Sequence, residues 1–256
     1  MTAWTKLTGP ELGELVASGR SLAVFPIGAT EQHGPHLATG TDTLLSEWIC
    51  RKACRRRNLP MLPALPFGCS LGHTNAWPGT LSLTPNTLAN VIYEVASWAI
   101  VTTKIDRLLF ISGHATNGPS IESALLRLRY EFPAVRFATR GLWDISEAAL
   151  KIYRSDGLDI HANLAETSMV LAIEPHRVSM EKAQDVEDAS AGLIWRYAMP
   201  AMTSMGVVGH PSKASAALGR QMLDRIVDDL VELLVQAERE AWPAVQTPSP
   251  QEGKPQ

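Results

Sequence analysis

The chain has 256 residues, of which 45% are hydrophobic and 19% are charged, so it is long enough to bury a sizeable core. Lys and Arg total 23 and Asp and Glu total 26, which leaves a net charge of −3. This near-balance argues against a nucleic-acid-binding or membrane-surface protein, either of which would be clearly basic, and favours a small-molecule partner.

Apolar runs alternate with helical patterns along the chain, which is typical of βαβ units and a largely parallel sheet. In chain order, the predicted elements are a strand at Leu22–Ile27, a helix at Thr43–Arg57, a short strand at Leu59–Phe67, a helix at Thr84–Thr102, a strand at Arg107–Ser112, a helix at Pro119–Glu131, a strand at Val135–Thr139 and helices at His161–Ile173 and Ser212–Glu240. We therefore predict an α/β fold with one domain over residues 1–243 and a disordered tail over residues 244–256. Because loops after parallel strands meet at one sheet edge, the loops after the first and third strands are expected to share a site.

Cysteine usage and the N-terminal sequence predict a cytoplasmic protein. Cys50, Cys54 and Cys69 are too few, and odd in number, for a disulfide framework, and they are interpreted as buried core residues. The first residues lack the apolar core of a secretory signal, and no stretch approaches the roughly 18 uninterrupted apolar residues of a membrane span.

The loop after the first strand carries Glu31, His33, His36 and Asp42 in one short segment. Carboxylate and imidazole groups form the mixed oxygen and nitrogen ligand set that Zn²⁺ or Mn²⁺ accepts. We predict a metal site here in preference to an idle Gly-rich surface loop. Asp42 or Thr43 is also able to cap the helix that follows.

The loop after the strand Arg107–Ser112 carries a second candidate ligand, His114, at the same predicted sheet edge. A lone histidine is usually structural, but this position predicts a metal ligand. Asn117 follows in the same loop, where a substrate contact and a cap on the next helix are competing roles.

Two further segments carry polar groups with competing interpretations. His161 and Glu166 lie at the start of an apolar helix, where the helix dipole by itself favours a glutamate. The loop over residues 67–80 is rich in Gly, Ser and Pro and carries His73 and Trp77. These two side chains suit a lid or substrate wall, and the alternative is a Pro-Gly turn with an exposed Trp.

Taken together and in this order, the motifs resemble the creatininase family of metal-dependent amidohydrolases. The matching segments are Pro26–Leu37 with Thr41–Asp42, Pro78–Leu83, Gly113–His114 with Asn117–Gly118, His161 with Glu166–Ser168, Gly206–Gly209 and Ala214–Gly219. The similarity covers nearly all of the predicted domain, and the Glu-Gln-His-Gly motif with its later Asp is highly specific.

The resemblance implies a three-layer α/β/α domain with a largely parallel central sheet, two divalent ions per subunit (Zn, Mn or both) and assembly as a homohexamer. It also implies hydrolysis of a C–N bond in a small amide, often a cyclic one. By the same resemblance, Glu31 and His114 hold one ion, His33 and Glu166 hold the other, and Asp42 bridges both.

Roles for the remaining residues follow from the chemistry that this reaction needs. His161 is predicted to donate a proton to the leaving amine, because an imidazole titrates in the useful range. Glu166 is counted with it as catalytic, and His36 is expected to orient a ligand. Water is the expected nucleophile, since no Gly-x-Ser-x-Gly motif occurs. The predicted substrate-binding residues are His73, Trp77, Asn117 and Asp159.

The chain departs from the family pattern at positions that concern the substrate. Thr116 stands where creatinine-hydrolysing members have a glutamate, and Leu158 stands where members have a tryptophan. The expected substrate is therefore a small cyclic amide other than creatinine. The alternatives are a family peptidase that trims a precursor peptide and a non-catalytic metal- or ligand-binding protein on the same scaffold.

Overall fold

Three parallel strands form the central sheet of the computed structural model, which describes residues 2–158 and 161–243. The strands β1 (Leu22–Ile27), β2 (Arg107–Ser112) and β3 (Arg136–Gly141) lie side by side in that order. Every residue of β1 is buried, as expected for a strand that is covered on both faces. Ile27 pairs with Ser112, so β1 and β2 end at the same edge of the sheet.

The Pro-rich segment predicted as a short strand, Leu59–Phe67, extends this sheet without forming a regular strand. Met61 bridges Val24 and Leu65 bridges Ile27, both in parallel. The prolines at positions 60, 63 and 66 supply no backbone N–H, which interrupts the ladder of hydrogen bonds.

Helices cover both faces of the sheet. They are α1 (Gly9–Ala17), α2 (Thr41–Arg57), α3 (Pro85–Thr103), α4 (Gly118–Glu131), α5 (Glu147–Tyr153), α6 (Leu164–Ile173), α7 (Met199–Met202) and α8 (Ala216–Arg239). One buried core contains apolar side chains from α1, α3 and α4, and a second contains side chains from α2, α5, α6 and α8. Two helical layers on a parallel sheet confirm the predicted three-layer α/β/α class.

Helix α2 begins two residues earlier than predicted, which places Asp42 inside its first turn. Gly40 occupies the N-cap position without a side-chain hydrogen bond, so the predicted cap by Asp42 or Thr43 is wrong. Thr43 instead donates from Oγ1 to the carbonyl oxygen of Ala29 at 3.0 Å. The Asp42 carboxylate therefore remains available to the loops at the sheet edge.

Two helices near the C-terminus begin later than predicted. The helix predicted to start at His161 starts after Asn163, whose side chain caps it, because Ala162 adopts a left-handed φ of 52°. The helix predicted to start at Ser212 is likewise shorter, since Ser215 caps it. His161 thus lies in a loop.

The remaining sequence predictions concern cysteines, membrane spans and the tail. Cys50, Cys54 and Cys69 are buried free thiols, which confirms their interpretation as core residues. Within the described part of the chain, no helix is long and apolar enough to cross a membrane. The predicted tail, residues 244–256, lies outside the described residues.

Candidate metal centre

The loops that follow β1 and β2 are adjacent, as predicted. Gly113 makes this close approach possible, because a Cβ atom there would lie 2.3 Å from the carbonyl oxygen of Asp42. His114 consequently lies beside the first turn of α2.

The five predicted metal ligands come together in two groups. Glu31, Asp42 and His114 form the first group, and His33, Asp42 and Glu166 form the second; within each group the candidate ligand atoms lie within 4.8 Å of one another. All five side chains are buried. Asp42 belongs to both groups, which is the position that the family resemblance implied for it.

The contacts of the two histidines with Asp42 have the spacing of atoms that share one ion. His33 Nε2 lies 3.1 Å from Asp42 Oδ1, and His114 Nδ1 lies 3.4 Å from Asp42 Oδ2. Two ligand atoms that each lie about 2.1 Å from a tetrahedral zinc ion are about 3.4 Å apart. Little rearrangement is therefore needed for these atoms to bind a metal.

Several buried polar atoms of the cluster lack hydrogen bonds to the described residues. They are both carboxylate oxygens of Glu31, Nε2 of His33 and Oδ2 of Asp42. Burying a charged group without a partner costs several kcal/mol, and a bound cation removes this cost. The donor set and its missing partners thus fit a divalent ion.

The pKa values of the cluster show how it balances its charge without a cation. Burial raises the pKa of Glu31 to about 7 and that of Glu166 above its usual value. Burial lowers the pKa of His33, but Asp42 and the other carboxylates outweigh this and raise it to about 10. For Asp42, burial raises the pKa, and the nearby His33 more than offsets this, so the pKa is lowered. The metal-free cluster therefore holds protons.

Metal uptake is accordingly expected to release protons and to become tighter as pH rises. Metal ligands must be deprotonated, and at neutral pH His33 is protonated and Glu31 is partly so, since their pKa values are about 10 and about 7. Calorimetric titration of Zn²⁺ into chelator-treated protein, in buffers of different ionisation enthalpy, counts these protons. Zero proton release together with an affinity that does not change between about pH 6 and pH 8 would contradict this assignment of protons.

A third group brings two further histidines to the other oxygen of Glu31. His73 Nδ1 and His161 Nδ1 each lie 3.4 Å from Glu31 Oε1, and the two ring centroids are 4.6 Å apart. Burial lowers the pKa of His73 to about 3 and also lowers that of His161. Both rings are therefore neutral. His73, predicted as part of a lid or substrate wall, thus faces the candidate ligands directly.

Asn117 does not cap α4, and its placement favours a bracing role over the predicted substrate contact. It occupies the N-cap position without a side-chain cap. Its Nδ2 donates to the carbonyl oxygen of Gly28 at 3.0 Å, and its Oδ1 accepts from the backbone N–H of Cys69 at 2.9 Å. Because Asn117 is fully buried, both ends of its amide serve to hold neighbouring loops together.

The remaining predicted substrate-binding residues are Trp77 and Asp159. Trp77 is half-buried, and its Nε1 donates to the carbonyl oxygen of Ser204 at 3.4 Å, so it connects the loop over residues 67–80 to the segment that follows α7. Asp159 lies outside the described residues.

His36 lies apart from the three ligand groups, and its role in orienting a ligand stays a prediction. It is buried, and its Nε2 lies 2.9 Å from Oγ1 of Thr167 on α6. Burial lowers its pKa to about 4, so the ring is neutral.

Sequence reasoning missed one residue of this site, Gln32. Its side chain lies between His73 and His161, at 2.9 Å from Nδ1 of the first ring and 3.0 Å from Nε2 of the second. Its position in the motif between Glu31 and His33 was the available signal. The two contacts are with residues 41 and 129 positions later in the chain, which the motif alone does not reveal.

Comparisons with known proteins agree on one family. Residues 5–234 match the family model described as creatininase, creatinine amidohydrolase. The chain is 30% identical over 247 residues to the mycofactocin precursor peptide peptidase of Mycobacterium ulcerans (strain Agy99), covering 87% of this chain and 90% of that protein. It is also 30% identical over 195 residues to creatinine amidohydrolase of Pseudomonas putida, covering 70% and 75%. Among solved structures, the Mn form of creatininase superimposes with a TM-score of 0.80 at 25% identity, over 93% of this chain and 99% of that chain.

Proposed function

The chain belongs to the creatininase family of hydrolases, and from this premise we propose that it hydrolyses the C–N bond of a small cyclic amide with a metal-activated water. The observation that carries the proposal is the buried cluster of candidate ligands, in which oxygens of Glu31 and Asp42 and a ring nitrogen of His33 lack hydrogen-bond partners among the described residues. A non-catalytic binding protein on this scaffold is less well supported, because every metal-ligand position that the family resemblance implies carries a side chain able to bind metal.

Five side chains would hold two divalent ions, Zn or Mn. Glu31 and His114 would bind the first, His33 and Glu166 would bind the second, and Asp42 would contribute to both. When bound, such ions lower the pKa of a water molecule and polarise a carbonyl oxygen. Glu166 is held in place for this role, because its carboxylate accepts from the backbone N–H of Ala162 at 2.7 Å.

His161 would move the proton that the reaction requires. In amide hydrolysis, the water oxygen bonds to the carbonyl carbon, the C–N bond breaks, and a water proton must reach the leaving nitrogen. His161 Nδ1 lies 3.4 Å from Glu31 Oε1, at the border of the ligand cluster. A neutral imidazole in this position takes up a proton and delivers it to the amine.

The residue two positions after the loop histidine supports a substrate other than creatinine. Thr116 occupies the position where creatinine-hydrolysing members have a glutamate, and its Oγ1 lies 2.6 Å from Nε2 of His114. It also donates to the carbonyl oxygen of Cys69. The hydroxyl group thus holds the loop together and supplies no carboxylate to substrate or metal.

Trimming of a precursor peptide is the second candidate, and similarity to the mycofactocin precursor peptide peptidase favours it. Both reactions break an amide C–N bond with the same metal centre. They differ in the shape of the substrate that must reach Glu31 and His161.

We further propose that the protein is a cytoplasmic homo-oligomer, a homohexamer as in the family. A run of exposed apolar side chains supports association with other copies: Leu193, Ile194, Trp195 and Tyr197 are 48%, 88%, 76% and 52% exposed. Large apolar side chains that are exposed together on one segment are typical of an interaction surface.

Metal analysis coupled to a hydrolysis screen tests the function. The screen contains lactams, imides, hydantoins, formamides and a set of short peptides. We expect two ions per subunit, turnover of at least one cyclic amide, and loss of that turnover after chelation with recovery on adding Zn²⁺ or Mn²⁺. Turnover of peptides alone would favour the second candidate. Hydrolysis that survives complete metal removal would overturn both.

A further inference from the structure

The side chain of Gln32 is buried between two histidines, and the mechanism above does not use it. It is 4% exposed. Its backbone N–H is held by Oγ1 of Thr80 at 3.1 Å. The amide nitrogen Nε2 lies 2.9 Å from His73 Nδ1 and 3.0 Å from His161 Nε2, so one side chain contacts both rings.

The orientation of this amide group follows from a neighbouring donor. The backbone N–H of Gly34 lies 3.0 Å from Gln32 Oε1 and can only donate, so the oxygen end faces Gly34. The nitrogen end, which can only donate, therefore faces the two imidazoles. Gly206 packs against the same group: it has a φ of 65°, and a Cβ atom there would lie 2.1 Å from Gln32 Oε1.

A donor at Nδ1 of His73 selects the nitrogen on which that ring carries its proton. His73 accepts at Nδ1, so its proton resides on Nε2. His161 Nε2 lies between the Gln32 amide nitrogen, at 3.0 Å, and the Gln32 backbone carbonyl oxygen, at 2.9 Å. Both groups belong to one residue, and they hold Nε2 of His161 away from the cluster. His161 Nδ1 is thereby turned towards Glu31.

We propose that Gln32 is the positioning residue of this site, which sets the tautomer of His73 and turns Nδ1 of His161 towards the metal centre. The proposal rests on the proposed function in one respect only, namely that His161 moves a proton through Nδ1. Neither glutamate nor methionine at position 32 meets this hydrogen-bonding requirement. Glutamate at this position presents only acceptors and reverses the proton preference of His73, and methionine fills a similar volume without a donor.

The test is magic-angle-spinning NMR of the zinc-loaded protein with ¹⁵N-labelled histidine, which reports the protonated nitrogen of each ring whatever the size of the assembly. The chain has 7 histidines, and a His73→Asn spectrum identifies the signals of His73. In the native protein we expect His73 to carry its proton on Nε2. Gln32→Met is expected to remove this single tautomer, and Gln32→Glu to move the proton to Nδ1.

A second substitution displaces the side-chain amide of Gln32 without replacing Gln32 itself. Gly206→Ala displaces the Oε1 end and is expected to disturb the signals of His73 and His161 in the same way. Gly192→Ala is its matched control, because Gly192 also has a positive φ, of 79°, but a Cβ there would contact nothing within 4 Å. Gln221→Glu on the exposed face of α8 controls for the added charge.

The outcomes separate this proposal from the proposed function, since none depends on a substrate. A proton on Nδ1 of His73 in the native protein would refute the role of Gln32, and so would unchanged His73 and His161 signals in both Gln32→Met and Gly206→Ala. If Gln32→Met fails to fold, the native spectrum and the Gly206→Ala spectrum still test the role of Gln32. Altered tautomers in a protein that hydrolyses nothing would leave Gln32 as assigned and refute the amidohydrolase.

Discussion

Replacing Asp42 with alanine is expected to give a folded protein that retains no metal and does not turn over substrate. The two carboxylate oxygens face different histidines: Oδ1 lies 3.1 Å from His33 Nε2, and Oδ2 lies 3.4 Å from His114 Nδ1. The substitution therefore removes one ligand from each of the two expected ions, and it removes one negative charge from the centre. Its effect on metal affinity and rate should exceed the roughly 10- to 100-fold loss that is typical of supporting residues.

The measurement is metal content per subunit after gel filtration, together with hydrolysis of the best substrate from the screen. Alanine suits the first turn of α2, so circular dichroism and thermal unfolding should show a folded chain. Asp224→Ala, on the exposed face of α8, is the control and should keep both ions. An Asp42→Ala protein with full metal content and a near-native rate would refute the bridging assignment.

The sequence predicted the part of the site that depends on neighbouring strand ends. Leu22–Ile27 and Arg107–Ser112 are recognisable as buried strands, and parallel pairing then places Glu31 and His114 at one edge. Asp42 follows because its helix starts within the same loop. These steps use local apolar pattern and one rule of sheet topology, and both hold here.

The contacts that depend on irregular backbone were beyond the sequence pattern. His73 reaches Glu31 from a short 3-10 turn, Leu71–His73, inside the loop over residues 67–80, and no periodicity in the sequence marks the path of such a loop. His161 was assigned to a helix because the pattern does not reveal the left-handed conformation of Ala162. That conformation separates His161 from α6 and lets it pair with Val208. For the same reason, the contact of Gln32 with both rings was not foreseen.

The arrangement around Glu31 divides the site into a half that binds metal and a half that moves protons. Glu31 Oε2 faces His114, while Oε1 faces His73 and His161. One buried carboxylate thereby sets the distance between the expected metal positions and the histidine expected to carry the proton. Gln32 and His33 follow it in the chain, so this short stretch supplies groups to both halves.

Replacing His161 with alanine is expected to leave both ions bound and to lower the rate about 10²- to 10⁴-fold, the usual contribution of one general acid or base. Its Nε2 is occupied by Gln32, and His161 belongs to neither of the two groups that contain Asp42. Losing the ring therefore removes a proton carrier and no expected ligand. The measurements are metal content and the dependence of kcat on pH.

The competing assignment makes His161 a ligand, because Glu31, His73 and His161 also place their ligand atoms within 4.8 Å of one another. The His161→Ala variant distinguishes the two roles, because removing a ligand lowers the metal content and removing a proton carrier does not. His176→Ala, at a side chain that is 75% exposed, is the control and should change neither property. If His161→Ala loses an ion, the histidine binds metal, and the proton must be carried by another group at Glu31 Oε1, where His73 is the remaining imidazole.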